Sequence, residues 1–163
     1  MKSKWVWVVL VALAALAAYV GNVLATPSMG FTSTTIAKAR FGELDSHVHS
    51  VPADWQEMIK TKGLSDLYVQ SNIFAPGGSS GWHTHPGPSL VIVKSGTATF
   101  YMADDPTCSP HVVQAGSGFV DNGHDEHVVR NEGSVDLVTV VASLIPAGMA
   151  RRIDEPSPGN CPF

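Results

Sequence analysis

From Thr32 onward the chain is a succession of short runs rich in β-branched and aromatic residues, cut at close intervals by Gly, Pro, Asn and Asp. Ser65–Ala75, Ser89–Lys94, Thr97–Met102, His111–Gln114, Gly118–Asp121, His127–Arg130 and Val135–Ile145 are the strongest runs. Thr34–Leu44 and Ser46–Val51 are weaker ones. The breaks carry turn chemistry: Ala75-Pro76-Gly77-Gly78, Ser95-Gly96, Asp104-Asp105-Pro106, Asp121-Asn122-Gly123 and Asn131-Glu132-Gly133. Such residues fit a pleated, half-buried surface, and such breaks end one strand and start the next. Many short strands with regular turns predict an all-β sandwich or barrel. Pro52–Lys62 reads as a helical turn or an irregular loop, and no long amphipathic helix is present.

The first 25 residues stand apart from this pattern. Lys2 and Lys4 precede an uncharged apolar run from Trp5 to Val20, and Val23-Leu24-Ala25 follows with small residues spaced as at a cleavage site. The layout predicts either a secretory signal removed after Ala25 or an uncleaved anchor, since residues 5–25 are long enough to span a bilayer. Both put the domain outside the cytoplasm: secreted, periplasmic, or held on the outer face of the membrane through residues 5–25. Residues 26–31 read as a linker and residues 32–163 as one domain.

Losing residues 1–25 removes Lys2, Lys4 and no acid, so the formal charge moves from −4 to −6. An acidic surface disfavours nucleic acid and anionic lipid, which both attract positive fields. The only two cysteines, Cys108 and Cys161, lie in Pro-rich loop contexts with no Cys-x-x-Cys neighbour. Outside the cytoplasm such a pair reads as a disulfide tying the C-terminal tail to a loop near the middle of the chain.

Two histidine clusters carry the chemistry. His83 and His85 follow a glycine-rich turn, and residues two apart in a strand share a face. Imidazole is the commonest protein ligand for transition metals. The second cluster, His124-Asp125-Glu126-His127, comes about 40 residues later, across several strands, a separation that a barrel can close. His124 and His127 are three apart and face opposite sides of a regular strand, so His127 is the ligand candidate and His124 a group at the mouth. His47-Val48-His49 is a further His-x-His, but no glycine turn precedes it and it reads as a half-exposed strand face.

With these residues placed, the chain resembles a small single-domain cupin. Gly77, His83, His85 and Gly96 fall on the first cupin motif, and Gly116, Gly123, His127 and Asn131 fit the second with a one-residue shift about the turn. The resemblance implies a jelly-roll β-barrel holding a divalent metal (Fe, Mn, Zn, Ni or Cu) through His83, His85 and His127, and often a homodimer. The sequence departs from the family where an acid is usual in the first motif: Ser89 stands there. Asp121 stands where the second motif usually has proline. Three neutral imidazoles without a carboxylate leave a divalent ion its full charge. Some cupin-like dioxygenases, thiol dioxygenases among them, have three-histidine sites. Asp125 or Glu126 are alternative sources of the acid, although strand alternation turns Glu126 away from the face of His127. Ser89, His124, Glu126 and Asn131 are the pocket or supporting candidates. Trp82 and Phe100 read as core; Tyr68, Gln70 and Tyr101 are polar residues available to a ligand, Arg130 faces outward, and Arg151, Arg152 and Asp154 form a surface charge cluster.

Two functions follow from that resemblance. One is a metal-dependent enzyme of dioxygenase type acting on a small molecule. The other is a non-catalytic cupin that binds a small ligand or a metal ion. Fold alone does not choose between them.

Overall fold

The computed structural model describes residues 25–49 and 55–163. All its regular elements are strands: β1 (Met29–Phe41), β2 (Asp45–His49), β3 (Gln56–Lys60), β4 (Ser65–Ser79), β5 (His83–Thr84), β6 (Ser89–Ser95), β7 (Thr97–Met102), β8 (His111–Gln114), β9 (Gly118–Asp121), β10 (His127–Arg130), β11 (Leu137–Pro146) and β12 (Ile153–Asp154). The expectation of an all-β barrel is met. Strand β4 is the spine, with β1 along one edge and β11 along the other; β11 carries β6, and β6 carries β9. On the opposite side β10 pairs with β7 and β5, β7 carries β8, and β5 carries β12. A single register pair, Arg130 with Ser79, joins the two halves. The result is a ten-stranded antiparallel sheet rolled into a nearly closed barrel.

Period-two patterning explains which side chains enter it. In β11, Leu137, Thr139, Val141, Ser143 and Ile145 are buried while the residues between them are half-buried. In β6, Ser89, Val91 and Val93 point in and Leu90 and Ile92 point out. The inward set is apolar toward one end, where Phe74, Val93, Ala98, Val129 and Leu137 pack with Phe31, Phe100 and Phe119. Toward the other it turns polar, with buried Ser89, Asp121, Thr139 and Ser143. Polar inward residues cost burial energy unless partnered, so this end is suited to a site rather than to packing. The turn between β6 and β7 depends on Gly96, whose φ is +74° and where an added Cβ would lie 2.7 Å from the carbonyl oxygen of Asp136.

The strand pattern of the sequence holds, with two corrections. The stretch 52–62, expected as a helical turn or loop, contains β3, which pairs residue for residue with β2 from Asp45–Lys60 to His49–Gln56. The stretch 26–31, expected as a linker, is docked on the barrel: Met29 begins β1, Thr26 N–H donates to the Glu155 carbonyl at 2.9 Å, and Trp82 N–H donates to Thr26 Oγ1 at 2.6 Å. The signal or anchor segment lies outside the described residues, apart from Ala25, which bridges to Pro156.

The C-terminal tail is tied down covalently. Cys108 and Cys161 form a disulfide spanning 53 residues, with Cα atoms 5.2 Å apart. Cys161 is buried with Trp82, Tyr101 and Val128, so the cross-link backs directly onto the residue before His83.

Candidate metal centre

One strand pair and one turn contact bring the histidines together. His83 opens β5 and His127 opens β10, and the two are register partners. His85 lies just past the end of β5, where the backbone N–H of His124 donates to its carbonyl at 2.8 Å. Ring centroids are 4.3 Å apart for His83 and His127, 4.9 Å for His83 and His85, and 5.5 Å for His85 and His127. One ligand nitrogen from each ring lies within 4.8 Å of the other two. All three residues are at most 5% exposed.

The hydrogen bonds fix which nitrogen is available. His83 Nδ1 donates to the Gly81 carbonyl at 2.9 Å, His85 Nδ1 to the Arg151 carbonyl at 2.7 Å, and His127 Nδ1 to the Asp125 carbonyl at 2.8 Å. A carbonyl oxygen can only accept, so each Nδ1 carries the hydrogen and each neutral ring presents a bare Nε2. Backbone carbonyls of this kind orient metal-binding imidazoles and raise their basicity. Burial holds His83 well below the usual histidine range, helped by the neighbouring rings and Arg152. Burial likewise brings His85 to about 4; Asp121 pulls in the opposite direction and does not prevail. Without a metal, these two rings are neutral at pH 7.

A cavity of about 40 Å³ adjoins the three rings. It has room for an ion and a water, since about 10–15 Å³ of such space holds one water. Its walls include Phe31, Phe74 and Val91 on the apolar side and Asn72, Ser89 and Thr139 on the polar side. Asn72 Oδ1 is buried without a hydrogen-bond partner among the described residues.

The structure distributes the other candidates unevenly. Ser89 lines the cavity, and its hydroxyl pairs with that of Ser143 at 2.8 Å. His124 is exposed and occupies the turn with a φ of +36°. Glu126 is outside the cavity lining, with burial raising its carboxyl above the usual range. Asn131 is also outside it: its Nδ2 donates to the carbonyls of Phe74 and Val135, and its Oδ1 accepts from Gly133 N–H. That motif asparagine fastens the turn after β10 to β4. Tyr68, Gln70 and Tyr101 do not line the cavity either; Tyr101 donates to Glu132 at 2.8 Å.

Two readings need correction. Arg151 and Arg152, expected on the surface, line the histidine cavity, where the Arg151 carbonyl accepts the His85 Nδ1 hydrogen. Arg152 is held there by Asp154 and by the Ser80 carbonyl. By spacing alone Asp121 is a departure at the motif's proline position; in the fold it belongs to the site. Its side chain is 5% exposed, and its Oδ2 lies 3.2 Å from His85 Nε2 and 3.8 Å from His127 Nε2. The phase of β9 contained the signal, since Phe119 and Asp121 share a face and Phe119 packs against the core.

Residues 72–143 match the family model described as "Cupin domain". No curated protein matches the chain. Solved structures that it resembles include a cupin domain from Bordetella pertussis Tohama I, 17% identical, covering 74% of this chain and 97% of that one, with a TM-score of 0.47. A cupin-like protein from Thermotoga maritima MSB8 is 21% identical, covering 56% of this chain and 65% of that one, with a TM-score of 0.47. A recombinant oxalate oxidase in complex with glycolate is 23% identical, covering 77% of this chain and 55% of that one, with a TM-score of 0.49. The family match runs from within β4 to within β11 and contains all three histidines, so the stretch that carries the candidate site is a cupin domain.

Proposed function

We propose that this cupin is an extracytoplasmic protein that holds a divalent metal ion on His83, His85 and His127 and uses it to act on a small anionic molecule. One observation carries the metal reading: three buried imidazoles commit their Nδ1 hydrogens to backbone carbonyls and turn their bare Nε2 atoms toward one another. Convergent lone pairs with no hydrogen between them call for a cation. When bound, such an ion supplies Lewis acidity or, for iron, manganese or copper, one-electron chemistry.

The remaining lining supports the choice of ligand. Arg151 and Arg152 put positive charge on the wall, and Asn72 Oδ1 offers an acceptor. The titratable lining residues are the three histidines, Asp121 and the two arginines. None is a free general base once the histidines hold metal and Asp121 faces them. This composition favours oxygen chemistry over reactions that begin with proton abstraction. It also supports the second reading, a non-catalytic cupin that captures a small anion on its metal. The disulfide and the apolar N-terminal run support a place outside the cytoplasm.

Oxygen uptake by the iron-loaded protein against a panel of small carboxylates and thiols separates the two. Turnover that disappears in His83→Ala is the result expected of an enzyme. Saturable ligand binding without uptake would assign the protein to the second reading.

A further inference from the structure

We infer that Asp121 is the fourth ligand of this metal site, supplying from β9 the carboxylate that Ser89 does not supply from β6. The inference rests on the three-histidine reading above and adds the donor that sets the charge of the centre.

Ser89 and Asp121 are direct register partners in the antiparallel pair of β6 and β9. Opposed residues of such a pair project from the same face with Cβ atoms about 4.5–5.5 Å apart. An acid moved from one position to the other therefore stays at the same level of the barrel wall. Both side chains line the histidine cavity.

The carboxylate of Asp121 is oriented for ligation through one oxygen. Oδ1 accepts the Gly123 N–H at 2.9 Å, in the turn that follows β9. Oδ2 is left facing His85 Nε2 at 3.2 Å and His127 Nε2 at 3.8 Å. A neutral ring has no second hydrogen to give from Nε2, because its one hydrogen goes through Nδ1 to a backbone carbonyl. Three acceptors crowded together in a buried space repel one another. A shared cation converts that repulsion into coordination. Ligands about 2.0–2.2 Å from one ion lie about 3.0–3.5 Å apart at tetrahedral or octahedral angles. The His85–Asp121 spacing falls in that range, and the His127–Asp121 spacing exceeds it by a few tenths of an ångström.

The consequence is chemical. A carboxylate brings a divalent centre from +2 to +1 and adds a hard oxygen donor, which suits manganese(II) and iron(II) better than a purely imidazole site does. The competing role for Asp121 is structural, as the ion-pair partner of a protonated His85.

The test compares metal-free wild type, Asp121→Asn, Asp121→Glu and His83→Ala as full chains. Each is titrated with manganese(II) and with zinc(II) against a competing chelator, and each metal-free form is melted. The inference expects Asp121→Asn to lose at least about tenfold in manganese affinity, more than in zinc affinity, and Asp121→Glu to recover part of it. It also expects metal-free Asp121→Asn to melt no lower than wild type, because the amide can donate to His85 Nε2. A Ser89→Glu, Asp121→Ser double variant, which returns the acid to β6, should bind manganese better than Asp121→Ser alone. Wild-type affinity in Asp121→Asn would overturn the inference and leave the three-histidine site standing. A lowered melting point in metal-free Asp121→Asn, with unchanged affinity in whatever remains folded, would assign Asp121 the structural role. Failure of the wild type to bind either ion would overturn both.

Discussion

Ser89 of β6 and Asp121 of β9 face each other across one antiparallel pair, and the carboxylate at this level of the barrel belongs to Asp121. The pair is almost wholly buried, Ser89 at 1% and Asp121 at 8% exposure. A position that the first cupin motif gives to an acid is thus occupied by a hydroxyl bonded to Ser143, with an acid opposite it. The site is compact because the two strands that end here, β9 and β10, are joined by a turn of five residues, 122–126.

That turn makes Gly123 a sensitive position. Its φ is +80°, and an added Cβ would sit 2.9 Å from the backbone of Gly87. Gly123→Ala is expected to cost at least about 1–2 kcal/mol, the penalty of the left-handed conformation for an L-residue before any clash is counted. Because Gly123 N–H also orients Asp121, metal affinity should fall with it. Chemical denaturation of the metal-free protein and chelator competition read the two effects.

Acid should destabilise the metal-free protein across two pH windows. His83 and His85 are depressed by burial, His85 from 6.5 to about 4. Between those values the unfolded chain binds more protons than the folded one, so their contribution is complete above pH 6.5 and is lost as pH falls toward 4. For His85 the loss is of the order of 3 kcal/mol. Asp66 is depressed by its hydrogen bond to Arg40, with Gly148 N–H and Lys38 adding to it. Its contribution is present above the ordinary carboxylate value of 3.8 and is lost below it. Denaturant midpoints measured from pH 8 to pH 3 should fall in both windows, and Asp66→Asn should shrink the lower one, which Asp105 shares through its hydrogen bonds from Thr107 and Ser109.

The Cys108–Cys161 cross-link closes a 53-residue separation. In the chain-entropy account it contributes about 4 kcal/mol. A Cys108→Ser, Cys161→Ser variant is expected to melt lower by a corresponding amount, and thiol titration of the native protein should find no free cysteine.

Arg151 lines the cavity and is partly desolvated, which lowers its pKa. A charge-assisted hydrogen bond from it to a bound anion is worth about 1.5–3 kcal/mol. Arg151→Gln should therefore weaken the binding of a small carboxylate to the metal-loaded protein by roughly tenfold or more, with metal affinity itself unchanged. Calorimetry on the loaded protein measures both.

The barrel was legible because its strands follow period two and its turns use Gly and Asn: β6 and β11 alternate as their residues do. Local spacing likewise pointed to His83, His85 and His127. The hairpin of β2 and β3 was not fully legible. Most of its residues are exposed, so Gln56–Lys60 has no buried face to leave a pattern. Asp121 was missed for another reason. Its meaning depends on register, and only the pairing of β6 with β9 sets it opposite Ser89. Arg151 and Arg152 reach the cavity through the path of an irregular segment, which no periodicity encodes.

The central claim is a metal ion on His83, His85 and His127, and the most direct measurement is elemental analysis of the purified protein before and after incubation with manganese, iron, nickel, copper or zinc. The account predicts close to one bound ion per chain, lost in His83→Ala and retained in His47→Ala, whose histidine lies exposed on β2 beside Asp45. A wild-type protein that carries no metal and takes up none of these ions, or a His83→Ala variant that binds as well as wild type, would contradict it.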